Sequence, residues 1–446
     1  MEKKNKRIVI LLIFFLLSCI ILLLFNHEYN MEPTITKIKY SNSFNDNKSR
    51  NVSLTIKRHN KNKIYCQFDD GIEPSDWILV KNNKCTYGVV TKKYDVNIKY
   101  NGEKIVTYKK NFKIDDIIGV KFNNGKKYMA LGETFNLETI LDYVGAVDTK
   151  VVYSSSDPNV MTVDENGNVT AHNLGTSKIT VTTSNNKSTS VDISVSNLIR
   201  PPELNNNKKI VPCNVYSTEQ VNELDAILKS RVDAAGEGTR AAVVAASRFL
   251  TLEFPYKVPY FYENGRLTGN GVQGEGRYYK KGLYLGKEKE NQITVSMSGP
   301  ASWGCPLTNY EDDGYRKPNS RYPNGFDCSG YVTWVLVQAG LDLGDIGAGA
   351  SDVFDYTKVG TLRYNSYDLL HSGKVKAGDL IGWDGHIAII GAMSDTKIYV
   401  TESLLPGVIM DEYDYSVPGS RFYQRYDYII DMSGNYKGDG NLRSMW

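Results

Sequence analysis

The residues with the plainest chemical potential lie in NGFDCSGYVTWVLVQAG, Asn324 to Gly340. Cys328 stands between Asp327 and Ser329. The residues after it place Val332, Val335, Leu336 and Ala339 on one face of a helix. Asp327 is a good N-cap residue, and Gly340 sits where a helix stops. A cysteine in the first helical turn lies where unpaired N–H groups and the helix dipole stabilise a thiolate. Cys328 is then a nucleophile, a disulfide half or a buried core thiol, and its own surroundings leave all three open. A thiolate nucleophile needs a base. Of the five histidines, two lie in this C-terminal stretch. His371 falls in the polar loop LLHSGKVKAGD, whereas His386 heads the apolar run HIAIIGA. The next strand-like run is KIYVTES. A hairpin symmetric about Ser394 sets Glu402 opposite His386, where its carboxylate accepts the imidazole N–H and holds the tautomer. A slip of one residue substitutes Thr401. The bland alternative for Glu402 is a solvated charge at a strand end. Asp379, Asp384 and His386 are the nearest thing to a metal site, but they lack a second His or Cys at zinc-ligand spacing. Neither a metal nor a cofactor is expected.

These residues need elements to hold them. In 217–431 helical patterns come first and strand-like runs return after Lys374, which argues for one α+β domain. STEQVNELDAILKSRV opens with a capping-box pair, Ser217 and Gln220, and GTRAAVVAASRFLTL is a second, Ala-rich helix. Upstream, 199–216 is a linker rich in Pro, Asn and Lys, and 432–446 is a tail. From 118 to 198 the strands alternate apolar and polar residues as a half-buried sheet requires, with Asn166-Gly167 of DENGNV at a tight hairpin. Residues 31–117 give shorter strand-like runs punctuated by Asn, Asp and Gly, a second all-β domain.

Charge and cysteines bound the function classes. The formal net charge of the 446 residues is +3, and MEKKNKR supplies all of it. The remainder is nearly neutral, so nucleic acid is not an expected partner. After that basic start comes IVILLIFFLLSCIILLLF, Ile8 to Phe25, eighteen residues without a charge. It suits a transmembrane helix over 1–30 with the body outside the cytoplasm. A cleaved signal peptide, or a lipoprotein anchored at Cys19, are the alternatives. Five cysteines lie beyond this run. In an oxidising compartment an odd count leaves at least one thiol over. Spacing permits Cys66–Cys85 and Cys213–Cys305, with Cys328 the remainder.

Two family resemblances follow. The run YSSSDPNVMTVDENGNVTAHNLGTSKITV resembles the bacterial immunoglobulin-like domains of surface proteins, which implies a β-sandwich acting as a spacer or a weak wall-binding module. The order GFDCSGYVTWVLVQAG, KAGDLIGW, HIAIIG, IYVTES resembles the NlpC-type cell-wall cysteine peptidases. That resemblance implies a papain-like α+β domain that cleaves peptidoglycan stem peptides, commonly between D-glutamate and the following diamino acid. It makes Cys328 the nucleophile and His386 the general base and then acid, and matches Asp327 and Ser329 to the family's DCS. The third place, usually His, Asn or Gln, falls on Glu402 or Thr401. The family's site-lining tyrosine falls on Tyr260 in PYFYENG, with about 65 residues inserted before Cys328; in PASWGC, Ala301 replaces it ahead of Trp303-Gly304. The expected class is thus multidomain: an N-terminal transmembrane helix, two all-β immunoglobulin-like sandwiches and a papain-like C-terminal domain. The expected function is a membrane-anchored peptidoglycan hydrolase serving machinery that opens wall locally, such as division, secretion or conjugation. An N-acetylmuramoyl-L-alanine amidase or acyltransferase on the same core, and an inactive wall-binding scaffold, are the competing readings.

Overall fold

The computed structural model describes residues 2–442 except 45–49, 60–61, 70, 72, 90–92, 112–115, 124, 145–146, 262–279, 293, 296–298, 301, 310–316, 345 and 347–358. The chain divides into two compact units. One holds Met1–Lys121, Ile140–Val152 and Thr182–Thr189; the other holds Phe122–Thr139, Tyr153–Val181 and Ser190–Trp446.

The first unit opens with helix α1 (Glu2–Asn30). The expected transmembrane anchor, and the single-pass membrane localisation built on it, are corrected here. Among the described residues no helix is long and apolar enough to cross a membrane. The expected fold class falls with the anchor: the described chain is mostly β-sandwich and sheet, with few helices.

Beyond α1, RNVSLTIK shows why a sandwich forms. Val52, Leu54 and Ile56 are buried while Asn51, Ser53 and Thr55 are only partly so, the period-2 alternation of a sheet with one covered face. Arg50–Lys57 pairs with Thr34–Phe44 and Lys84–Val89; a second sheet runs in the order Ile78–Leu79, Tyr65–Asp69, Lys93–Tyr100, Lys104–Asn111. The two share one core through Leu54, Cys66, Phe68, Cys85, Val96 and Ile98. A Cys66–Cys85 disulfide joins a strand of one sheet to a strand of the other.

Most of another sandwich belongs to the second unit. One sheet has the order Thr134–Asn136, Asn168–Ala171, Met161–Val163. The other has Val151–Ser155, Gly175–Thr183, Ser188–Ser196, Tyr128–Ala130, with the last pair parallel. Met129, Met161, Val169, Ile179 and Ile193 fill the space between. The hairpin turns at Gly167, where φ is 82°; a Cβ there would meet the Leu137 carbonyl at 2.9 Å, so both conformation and space demand glycine. Asp164 Oδ1 accepts from the N–H groups of Asn166 and Asn168. These bonds, led by that from the Asn168 side chain, hold its carboxyl below the usual range.

The rest of this unit builds three helices against a six-stranded antiparallel sheet. Helix α2 (Thr218–Ala235) starts with the anticipated capping box: Gln220 N donates to Ser217 Oγ, and Ser217 N donates to Gln220 Oε1. Helix α3 (Arg240–Arg248) is capped by Thr239 and runs into a π-turn, Phe249–Glu253. Helix α4 is Cys328–Gln338. The strands are β1 (Thr361–Tyr364), β2 (Leu380–Trp383), β3 (His386–Met393), β4 (Lys397–Leu404), β5 (Gly407–Asp414) and β6 (Tyr428–Asp431), in the order β1-β6-β2-β3-β4-β5. Along β3, Ile387 and Ile389 join the core that holds α3 and α4, while Ala388 and Ile390 join the core on the other face with Val400, Phe422 and Tyr426. Both faces are covered, so HIAIIGA is apolar throughout. Cys213 and Cys305 form the second disulfide.

One buried ion pair fastens the immunoglobulin-like strands to this α/β layer. Arg231 of α2 donates Nε and Nη2 to Glu253 Oε2 at 2.9 and 2.7 Å, and Nη1 to the Tyr128 carbonyl at 2.9 Å. Burial opposes ionising Glu253, but the Arg231 guanidinium outweighs it and holds the carboxyl below its ordinary range. A depressed folded-state value means the pair's contribution is present above the unfolded carboxyl range and is lost as pH falls through the folded one. Glu253→Gln strands a buried guanidinium and is expected to cost about 3–5 kcal/mol at pH 7. Urea melts at pH 7 and in acid check this: the gap between parent and variant must narrow in acid, and a gap that stays constant contradicts an ionised pair.

Candidate active site

Asp327 sits in extended geometry, φ −83° and ψ −179°, and its Oδ1 accepts from Gly330 N at 2.6 Å. This is the cap that starts α4, and it leaves Cys328 as the first helical residue. Cys328 is buried and lies outside both disulfides. Ser329 is buried beside it; its Oγ donates to Asp327 Oδ1 at 3.4 Å and its carbonyl accepts from Thr333 Oγ1. At the far end Gly340 adopts φ 85°, as its place in the sequence implied, and a Cβ there would run into Glu237.

The approach to Cys328 is stitched down on two sides. Phe326 N donates to Pro259 O and Phe261 N donates to Phe326 O, so Tyr260 and Phe326 form a parallel bridge. Ser403 Oγ of β4 donates to Phe326 O at 3.0 Å, and Tyr260 N donates to Pro406 O just past β4. Tyr260 therefore lies beside the loop that leads to Cys328 and is half-buried. Trp303 of the alternative motif packs its ring 4.7 Å from that of Phe326; Ala301 is outside the described residues.

The imidazole meets Glu402. His386 Nε2 and Glu402 Oε2 are 2.8 Å apart, and both side chains are buried. The pairing behind this differs from the symmetric hairpin. Ile389 faces Thr401 and Ile390 faces Val400; a bulge follows, and Ala392 faces Tyr399. Carried back along β3, that register sets Glu402 across from Ala388, two residues from the expected partner. A shift of two keeps the side chain on the same face, and the diagonal neighbour is within reach of a long side chain. Thr401 points elsewhere, its Oγ1 donating to Ile389 O at 3.4 Å. A carboxylate only accepts, so Nε2 carries the proton and Nδ1 is the basic nitrogen of the neutral ring.

Three residues around this pair were not anticipated. Trp383, which faces His386 across the Asp384-Gly385 turn, stacks on the imidazole at 4.0 Å. Tyr426 OH and Arg425 Nη2 donate to Glu402 Oε1 at 3.3 and 3.1 Å. Burial and then the Glu402 charge push the Tyr426 phenol far above its usual range. Burial pulls the Arg425 guanidinium down, but Glu402 outweighs it and the group stays fully charged. Asp-Gly is a hairpin signal that could have exposed Trp383. Nothing in RFYQRYDY could have announced the other two. Of the grouping considered for a metal, Asp379 is occupied by Arg240, whose Nη1 donates to Oδ1 at 2.6 Å. Helix α4 lies across β3 and β4, and Cys328 shares a core with Ile387 and Ile389 on the face that the helix covers.

Comparison with known proteins identifies one part of the chain. Residues 119–193 match the bacterial Ig-like domain (group 2), so the sandwich at the start of the second unit is a domain of that kind. Over 90 residues the chain is 38% identical to an uncharacterized protein of Clostridium acetobutylicum, a stretch covering 18% of this chain and 23% of that protein. The chain thus spans less than a quarter of that curated relative. Among solved structures, the C-terminal 282-residue fragment of intimin, in complex with the intimin-binding domain of its translocated receptor, is 18% identical with a TM-score of 0.24, covering 44% of this chain and 79% of that one. Invasin, a bacterial integrin-binding protein, is 13% identical with a TM-score of 0.20, covering 43% and 42%. These two likenesses are too loose to carry an argument.

The tautomer is directly measurable. Ring nitrogen NMR on histidine-labelled protein is expected to place the neutral His386 proton on Nε2, unchanged by Thr401→Val. Glu402→Gln, whose amide can also donate, is expected to mix the tautomers. A parent ring protonated on Nδ1 would contradict the geometry.

Proposed function

We propose that the C-terminal part of this protein is an NlpC-type cysteine hydrolase that cuts the peptide stems of peptidoglycan. One observation carries the reading: a cysteine outside both disulfides heads a capped helix that lies across the strand headed by His386, whose far nitrogen is held by a buried carboxylate. The sequence resemblance around Cys328 and His386 supports the substrate class.

In this mechanism His386 Nδ1 takes the thiol proton of Cys328. The thiolate, favoured by the helix N-terminus, attacks the carbonyl carbon of the stem amide. The oxyanion is met by N–H groups of the first turn, including that of Cys328. Gly330 N–H is already given to Asp327, which keeps the turn aligned. The imidazolium gives its proton to the leaving amine, so the C–N bond breaks and a thioester remains. His386 then deprotonates a water, which attacks the thioester and releases a carboxylate and the thiol. Glu402 orients the ring throughout. Ser329 supports the cap, and Tyr260, beside Phe326, lines the approach.

Full-length protein and a Cys328→Ala twin, incubated with purified peptidoglycan, test this by mass spectrometry of the released fragments. Stem fragments from the parent alone are expected, at least a thousandfold above the twin, in line with loss of a nucleophile (roughly 10³ or more). Cleavage between muramic acid and alanine would transfer the protein to the amidases. Wall binding without any release would favour an inactive scaffold.

A further inference from the structure

Glu402 is wholly buried, and orienting His386 uses only one of its oxygens. The other is occupied by Arg425, the last residue of a short helix, Arg421–Arg425, that packs on β5. The guanidinium is held in place: it lies 5.1 Å over the Trp383 ring and 5.6 Å over that of Tyr426. Trp383 in turn stacks on His386. Arg425 is thus attached to the imidazole by two routes, an ionic one through Glu402 and a stacked one through Trp383.

Charge counting shows what this arrangement does. The groups facing Glu402 are His386 from β3, Asp411 and Tyr413 from β5, and Arg425 and Tyr426 at the end of the short helix. Asp411 adds negative charge to the same side, and burial together with Glu402 raises its carboxyl above the ordinary range. Among the described residues Arg425 is the lysine or arginine in ion-pair contact with Glu402. With Arg425 present, a Cys328 thiolate, a His386 imidazolium and the Glu402 carboxylate sum with it to zero. Without it, two anions share one imidazolium in a buried site, which favours retention of the ring proton and opposes the thiolate.

We propose that Arg425 is a positioning residue that acts through Glu402: it supplies the counter-charge that lets a buried carboxylate orient His386 without holding its proton too tightly. This rests on the reading of His386 as the base of Cys328. Arg425 does not contact the reacting atoms; it sets the pH window in which His386 releases its proton.

The test uses full-length parent, Arg425→Met, Arg425→Lys, Glu402→Gln and the double variant Glu402→Gln/Arg425→Met, each checked for folding by its thermal melt. Two readouts are taken: the pH profile of stem cleavage, and the titration midpoint of the His386 ring by NMR, which needs no substrate. Arg425→Met is expected to move the ring midpoint and the basic limb of the profile upward by about one pH unit, and to slow release of product near neutrality. Arg425→Lys restores the parent profile. In the Glu402→Gln background, removal of Arg425 produces a smaller shift. A uniform loss of rate with unmoved limbs, or an equal shift with and without Glu402, overturns the proposal. If the parent releases no wall fragment but the ring midpoint moves as described, the peptidase reading fails while the coupling of Arg425 to His386 stands. If the parent cleaves and the midpoint does not move, the reverse holds.

Discussion

A carboxylate with no exposure to solvent organises this site. An ionised Glu402 inside a sheet costs several kcal/mol unless its oxygens are filled, and two segments converge to fill them. His386 comes from the neighbouring strand, and Arg425 and Tyr426 come from the far end of the chain. Satisfying the carboxylate therefore fixes the β3–β4 pairing, the place of the short helix and the orientation of the imidazole together. Ser403, the next residue, extends the same strand's hold to Phe326 and so to the start of α4. The cap at Asp327 then needs only local geometry to deliver Cys328.

A second buried ion pair ties down the opposite side of the same layer. Arg240, at the first position of α3, is essentially unexposed and reaches Asp379 at 2.6 Å, with Asp439 and Ser433 of the C-terminal segment on its other nitrogens. The segment returns the contact through its backbone: Arg240 N donates to Gly438 O and Ala241 N to Asp439 O. Residues that look like a polar tail thus finish the first turn of a core helix. The stretch 199–211 behaves alike. Its Lys208 ammonium donates to the carbonyls of Thr251 and Phe254. Burial, with the nearby Arg200 charge, lowers that ammonium to about 8.

The bacterial Ig-like domain is fastened in the same way. Tyr128 gives its carbonyl to Arg231, and Ala130 belongs to the core built by α2 and α3. A free spacer would keep polar side chains over this edge. Here an arginine bound to Glu253 reads its backbone, so part of the domain is a wall of the α/β layer.

What the sequence determined by itself was local. Ser217 with Gln220 and Asp327 before Cys328 start helices because the cap and its N–H partner lie within three residues of each other. Cysteine parity left Cys328 over because two pairs of the remaining four can close. Glu402 was legible even though its register was not: side chains alternate with period two, so an error of two residues leaves the face unchanged. The apolar run near the N-terminus was equally visible, but composition alone did not establish a span. Only the tertiary structure decided what lies behind His386. Arg425 is 39 residues from His386 in the chain and meets Glu402 only because β6 inserts between β1 and β2 and returns the preceding helix over β5. No spacing rule connects such residues. A buried charge selects its partners by distance in the folded molecule, and that distance does not exist until the sheet is assembled.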